Sequence, residues 1–174
     1  MINLKKLLIE YLNEVMDIPY SYNGNFKTEM RDMEDEIGEK YSQEVLQDVQ
    51  LIKFKTDDGV EYLWYARRDF HNEYLWHIAF GRYKGLNTQG KHEIDIELTK
   101  AKNPFKIFAT VVSIINDFVD FDEGNEVQYL HSISKGHNRT QLYLKRLIPL
   151  ITKFKLYHVT KSTYDNDITL IRVK

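Results

Sequence analysis

NPFKIFATVVSIINDFV, Asn103 to Val119, is the stretch from which the architecture can be read. Asn103-Pro104 opens a helix, and Phe105, Phe108, Val111, Val112, Ile115, Phe118 and Val119 recur at the three-and-four spacing that stacks side chains on one helical face. Ala109 and Ile114 widen that face until, past Lys106, only Thr110, Ser113, Asn116 and Asp117 remain polar. A helix with so little polar surface has to be covered on most sides, which makes it the core helix.

Upstream of it the pattern changes to that of strands. Val49 to Lys55 and Val60 to Arg67 are rich in β-branched and aromatic residues, and Asp57-Asp58-Gly59 supplies the positive φ of a tight hairpin. Tyr74 to Arg82 alternates Trp76, Ile78 and Phe80 against Leu75, His77 and Ala79, so a third antiparallel strand is expected. A glycine-bearing loop, Gly85 to Gly90, precedes His92 to Leu98, where Ile94, Ile96 and Leu98 alternate with Glu93, Asp95 and Glu97. At the N-terminus, Leu4, Leu7, Leu8, Tyr11, Leu12 and Val15 form an amphipathic helical stripe that Pro19 ends. Residues 20–48 read as an acidic excursion, mobile or partly helical, in which Asp32, Asp35, Glu36 and Glu39 would share a helical face.

Downstream, Glu126 to Ile133 is a strand and residues 132–140 a polar loop. A helix follows with Leu144, Leu147, Ile148 and Ile151 on one face, bent or ended by Pro149. Leu156 to Lys161 and Ile168 to Val173 close the chain as a hairpin. The expected fold is a single α+β domain over residues 1–174, with one mainly antiparallel sheet and helices packed on it. The strand–helix–strand unit near residue 130 is the one place for a parallel pair.

Composition narrows the function classes. The 174 residues carry a net charge of -2, so no global basic field draws the chain to nucleic acid or an anionic membrane. The absence of cysteine removes thiol nucleophiles, disulfides and thiolate metal sites. No apolar run has the length to span a bilayer, and a cytoplasmic protein is the expectation.

Four constellations bear on chemistry. The loop holding Ser134, Lys135, Gly136, His137 and Arg139 leaves a strand and enters a helix, where free backbone N–H groups favour a phosphate or carboxylate. Its plainer reading is a connection in which Ser134 or Asn138 caps the helix. Asp32, Asp35, Glu36 and Glu39 offer negative charge to a basic protein partner, or are merely solvated. Glu93, Asp95 and Glu97 line one strand face, yet they read as edge protection, and His77, His131 and His158 lie in separate strands with no local metal-binding spacing. No metal and no cofactor is therefore expected. Trp64, Tyr65, Trp76, Tyr62 and Tyr83 lie near Arg67, Arg68, Arg82 and Lys84, an arrangement that can stack bases, although alternation assigns half of these rings to the core.

Phe105-Lys106-Ile107-Phe108-Ala109-Thr110-Val111, then Val127 to Ser132, then Asn138-Arg139-Thr140-Gln141-Leu142-Tyr143 resembles a pattern in small uncharacterised proteins of tailed bacteriophages. There an apolar helix leads to a strand and an Arg-x-x-Leu-Tyr helix. The resemblance covers about the last third of the chain. It implies a phage-encoded protein of the virion or the host cytoplasm and transfers no catalytic residue. A second similarity is to acetyltransferase folds, in which a strand, an anion-binding loop and a helix hold the pyrophosphate of coenzyme A; Gly136 is the single glycine of the corresponding loop here. Two expectations follow. The first is a non-enzymatic interaction or structural protein acting on a host factor or virion component. The second is an enzyme or sensor that binds a phosphate-bearing small molecule at residues 132–140.

Overall fold

The computed structural model describes residues 18–23, 27–32, 46–69, 71–88, 92–95, 103–121, 126–135, 137–161 and 165–173. The amphipathic stripe from Leu4 to Val15 lies outside them. The described residues form eight strands: β1 (Lys27–Asp32), β2 (Leu46–Lys55), β3 (Glu61–Arg68), β4 (Leu75–Leu86), β5 (His92–Asp95), β6 (Tyr129–Lys135), β7 (Phe154–Lys161) and β8 (Asp165–Arg172). Helix α1 (Pro104–Asp120) precedes β6 and helix α2 (His137–Leu142) follows it. The strands make one sheet in the order β1-β2-β3-β4-β6-β8-β7, with β5 added to β4. Every pairing is antiparallel except that of β4 with β6. The class is α+β.

The β2–β3 turn forms as its sequence dictates. Gly59 adopts φ 83, its N–H bonds to the Thr56 carbonyl at 2.9 Å, and the Thr56 hydroxyl donates to Asp58 at 2.6 Å. A side chain at that φ would be strained, so glycine sits where the turn needs it. Helix α1 starts where asparagine and proline require: the Asn103 side chain accepts the Lys106 N–H at 3.1 Å, and Pro104 occupies the first turn, where a missing N–H costs nothing.

One face of the sheet carries Ile52, Phe54, Tyr62, Trp64, Trp76, Leu130, Ile168 and Leu170, which share a buried cluster with α1 residues including Phe108, Ile115 and Phe118 and with Tyr143, Leu147, Ile148 and Ile151 after α2. Phe118 is its hub, with ring centroids 5.4 Å from Trp64 and 5.0 Å from Trp76. The opposite face holds a smaller cluster of Val49, Leu51 and Leu63, with Tyr65, Tyr83 and Ile94 against it.

Three local expectations change. The segment Lys27–Asp32 is a strand, not part of a helical excursion, because β2 supplies a ladder partner for each of its residues from Leu51 back to Leu46. Residues ahead of it are tied down: the Tyr20 N–H donates to Thr110 Oγ1 at 2.8 Å, and the Tyr22 hydroxyl, pushed up to about 12 by burial and then by the neighbouring Asp117, bonds to Asp117 and Ser113. Strand β4 continues through Gly85, at φ 106, to Leu86, with a bulge at Tyr83/Gly85, so the expected loop begins later. The third change is at the other end of the sheet. Strand β6 runs on to Lys135 and α2 begins at His137, so strand and helix occupy the described residues of the expected 132–140 loop; Gly136 lies outside them. The helical path then widens to a π turn, Tyr143–Leu147, and tightens to a 3₁₀ turn, Ile148–Leu150. Pro149 explains the irregularity, since it lacks the N–H that a regular helix would direct at the carbonyl four residues back.

Candidate functional site

The parallel pairing of β4 with β6 lasts only three residue pairs: Leu75↔Tyr129, Trp76↔Leu130 and His77↔His131. Beyond His77 the two strands part. Among the described residues, β4 has no strand partner on that side between His77 and Arg82, where β5 takes over opposite Asp95. The gap lies on the carboxyl side of the parallel pairing, within both strands, where the two chain segments diverge.

A cavity of about 30 Å³ opens in the core under this gap. Its walls include Trp64, Ile78, Phe80, Leu130, Ser132 and Tyr143, and the volume has room for about two water-sized groups. Tyr143 is fixed by rings on two sides, 6.0 Å from Phe80 and 6.1 Å from Phe108. The π turn that begins at Tyr143 brings the tyrosine into this wall. Sequence reading missed it, although Tyr143 precedes Leu147 and Ile151 at helical spacing.

The anion-loop residues fall on the end of β6 and the start of α2, with Gly136 between them outside the described residues. Ser134 is fully buried in β6 opposite Asn166, and its hydroxyl has no hydrogen-bond partner among the described residues. Lys135 ends β6 opposite Asp165, and His137 and Arg139 belong to α2. Beside Ser134, the buried Asn166 side chain donates to Thr140 Oγ1 at 2.8 Å, tying β8 to α2. Ser134 is thus an interior strand residue that neither caps α2 nor faces a solvated ligand. Replacing it with alanine is expected to raise stability by up to about 1 kcal/mol, since a buried hydroxyl without a partner is a cost. Urea unfolding measures this; a loss above that size would mean that the hydroxyl makes a bond in solution.

Asp32 ends β1, while Asp35, Glu36 and Glu39 lie outside the described residues. Glu93 and Asp95 stand in β5, where Asp95 pairs with Lys84 at 3.3 Å; Glu97 lies outside. Among the described residues no group of three His, Asp or Glu side chains is arranged to hold a metal ion. Trp64 and Trp76 are buried and unavailable for stacking on bases, as the alternation indicated.

The histidines give the least expected result. His77 and His131, 54 residues apart, meet on the face away from α1, Nδ1 to Nδ1 at 2.9 Å with rings 88° apart. His158 is not in their contact, but register places it on the same row, across Thr169 from His131. A carboxylate approaches the far nitrogen of each ring: Asp69 lies 2.7 Å from His77 Nε2, and Asp167 lies 3.8 Å from His131 Nε2. Asp69 is held by its own turn, its Oδ1 accepting the N–H groups of His71 at 2.9 Å and Asn72 at 3.0 Å. Burial works to raise the Asp69 carboxyl, but the bonds from His77 and the turn outweigh it and hold the group below its ordinary value. Burial, and then the neighbouring His77, push His131 down against the pull of Asp167 and Asp69. A depressed imidazole favours the neutral form in the fold. Its contribution to stability is full above the unfolded value of about 6.5 and is lost as pH falls through the folded one.

No helix among the described residues is long and apolar enough to cross a membrane. Comparison with protein-family models, with curated proteins and with solved structures finds no match to this chain.

Proposed function

We propose that the protein binds a coenzyme A-type acyl thioester in the gap between β4 and β6, on an acetyltransferase-like frame with α1 and α2 laid on the sheet. The observation that carries this reading is the parting of the parallel strands over an apolar cavity. Among the lining side chains only Ser132 and Tyr143 bear hydroxyls, and none is charged, which suits a short acyl end better than an ionised one. The pyrophosphate would lie past the end of β6, where α2 begins.

Calorimetric titration with acetyl-coenzyme A, coenzyme A and ATP tests the proposal. The expected result is binding of the two coenzyme A species at about 1 µM, roughly −8 kcal/mol, with ATP weaker. Ser132→Trp, which fills the gap from its half-buried rim, should weaken that binding at least tenfold, about 1.4 kcal/mol, without unfolding the protein. Equal binding of the variant, or no binding by the parent, would remove the reading.

A second reading, recognition of a protein partner in a virion or on a host factor, draws on one observation. Ile133, Leu156, Tyr157 and Val173 are exposed near the β7 edge, Tyr157 to 63%. Native mass spectrometry separates the two: retained mass of a nucleotide-bearing cofactor favours the first, a bound protein from co-expressed host lysate the second.

A further inference from the structure

The histidine pair at the apex of the gap has a proton count that its surroundings fix. An ionised carboxylate only accepts hydrogen bonds, so the 2.7 Å contact with Asp69 requires a proton on His77 Nε2. The Nδ1–Nδ1 contact of 2.9 Å needs one proton between the rings. If both rings are neutral, that proton belongs to His131, and His131 Nε2 is left as a bare lone pair facing Asp167 at 3.8 Å. Of the other neutral combinations, two bare a lone pair toward Asp69 at the shorter distance, and the third, with both protons on Nε2, sets two Nδ1 lone pairs against each other at 2.9 Å. With one added proton every group is satisfied: His77 donates to Asp69, one N–H bridges the rings, and His131 Nε2–H faces Asp167. With two added protons, two N–H groups and two positive charges oppose one another at 2.9 Å, and the bridge cannot exist.

The alternative cation for such a site is a metal ion, and the geometry disfavours it. The ring centroids are 5.0 Å apart for a nitrogen separation of 2.9 Å, so the rings meet nearly head-on. That leaves no position about 2.0 Å from both nitrogens along their lone pairs.

We propose that His77 and His131 form a one-proton latch on the parallel seam: near neutral pH the pair holds a single extra proton, bridging β4 to β6, and a second proton releases it. Three pairs make up the whole seam, and this is the last of them. The latch therefore holds the strands at the point where they separate. The charged and titratable groups on its row and at its ends are Arg67 on β3, opposite His77, Asp69 in the β3–β4 turn, Asp167 on β8 and His158 on β7. One cation between Asp69 and Asp167 balances them better than none or two. The depression of His131 by burial and by its neighbour agrees with a second proton being resisted. The latch stands whether or not the gap takes a thioester.

The test is NMR of the full ¹⁵N-labelled chain, using spectra that report which imidazole nitrogens bear protons, with amide hydrogen exchange alongside. His77→Gln and His131→Gln assign the signals among the six histidines, and exposed His158 serves as a reference on the same row. At about pH 7, three of the pair's four nitrogens should be protonated, and the fourth should gain its proton only on acidification to about pH 5 or below. That last step should be accompanied by at least tenfold faster exchange of the Leu130–Ser132 amides, with those of β2 and β3 unchanged. Two protonated nitrogens at pH 7 would overturn the proposal. So would protonation of all four with the seam still protected. The parent spectrum alone decides the proton count if either variant does not fold.

Discussion

Replacing Phe118 with alanine should lower the free energy of unfolding by about 3–5 kcal/mol, the range for truncating a fully buried aromatic ring. Phe118 is fully buried, with tilted and edge-on contacts to Trp64 and Trp76, the two tryptophans of the protein. Those two rings come from adjacent strands, β3 and β4, so the truncation removes the side chain that fills the space between them and α1. Large rings cannot close such a space without leaving their rotamers, and the cavity term therefore adds to the transfer term. A domain of this size has about 5–15 kcal/mol in total, so the variant should lie close to its unfolding threshold. Urea denaturation gives the number, and Phe121→Ala, one residue past the helix end and partly exposed, is the control that should lose under about 1 kcal/mol. A loss below 1 kcal/mol for Phe118 would mean that the tryptophans repack, and that the core is held elsewhere.

Leu130→Ala should cost about 2–5 kcal/mol and, unlike Phe118→Ala, should create a binding site. Leu130 occupies the middle pair of the seam opposite Trp76, packs beside Leu170, and lines the existing cavity. Truncation joins the lost side-chain volume to that cavity. The walls are apolar, so the enlarged space should stay dry and accept a small apolar guest such as benzene. The expected result is a lowered Tm that benzene partly restores, with no such rescue in the parent. Destabilisation without rescue would show that the sheet collapses into the space and closes the gap. Retained coenzyme A binding by the rescued protein would place the acyl end away from Leu130.

The parts of the fold legible in the sequence are those whose causes are local. Asn103-Pro104 and the apolar stripe after it mark α1 to within a residue, and Asp57-Asp58-Gly59 marks the hairpin, because capping and turn geometry are decided within four residues. Strand β1 was illegible for the opposite reason. Its sequence, KTEMRD, has no apolar alternation, and its hydrogen bonds exist only because β2 offers an edge. Ser134 looked like a loop residue because a hydroxyl beside lysine and glycine is polar, yet strand pairing with Asn166 carries it inside. The histidine pair had no local signal at all. Its members are 54 residues apart, and the register of one short parallel pairing brings their nitrogens together. The gap was invisible for the same reason, since it is defined by where that pairing stops.

The shortness of the seam also shapes how the chain reaches this fold. Strands β1 to β5 form one antiparallel run and β6 to β8 a second, each joined internally by hairpins or edge pairings, while the two runs meet through three parallel pairs and the side chains of α1. Closing the β2–β3 hairpin brings Lys55 to Glu61, whereas closing the seam spans the 54 residues from His77 to His131. The longer closure costs about 2 kcal/mol more in chain entropy, and few ladder bonds repay it. Docking of the two runs must therefore wait for α1 to bury its apolar face across both. The chain is one sheet by connectivity, and α1, whose buried face shares one cluster with strands of both runs, is the element that couples them.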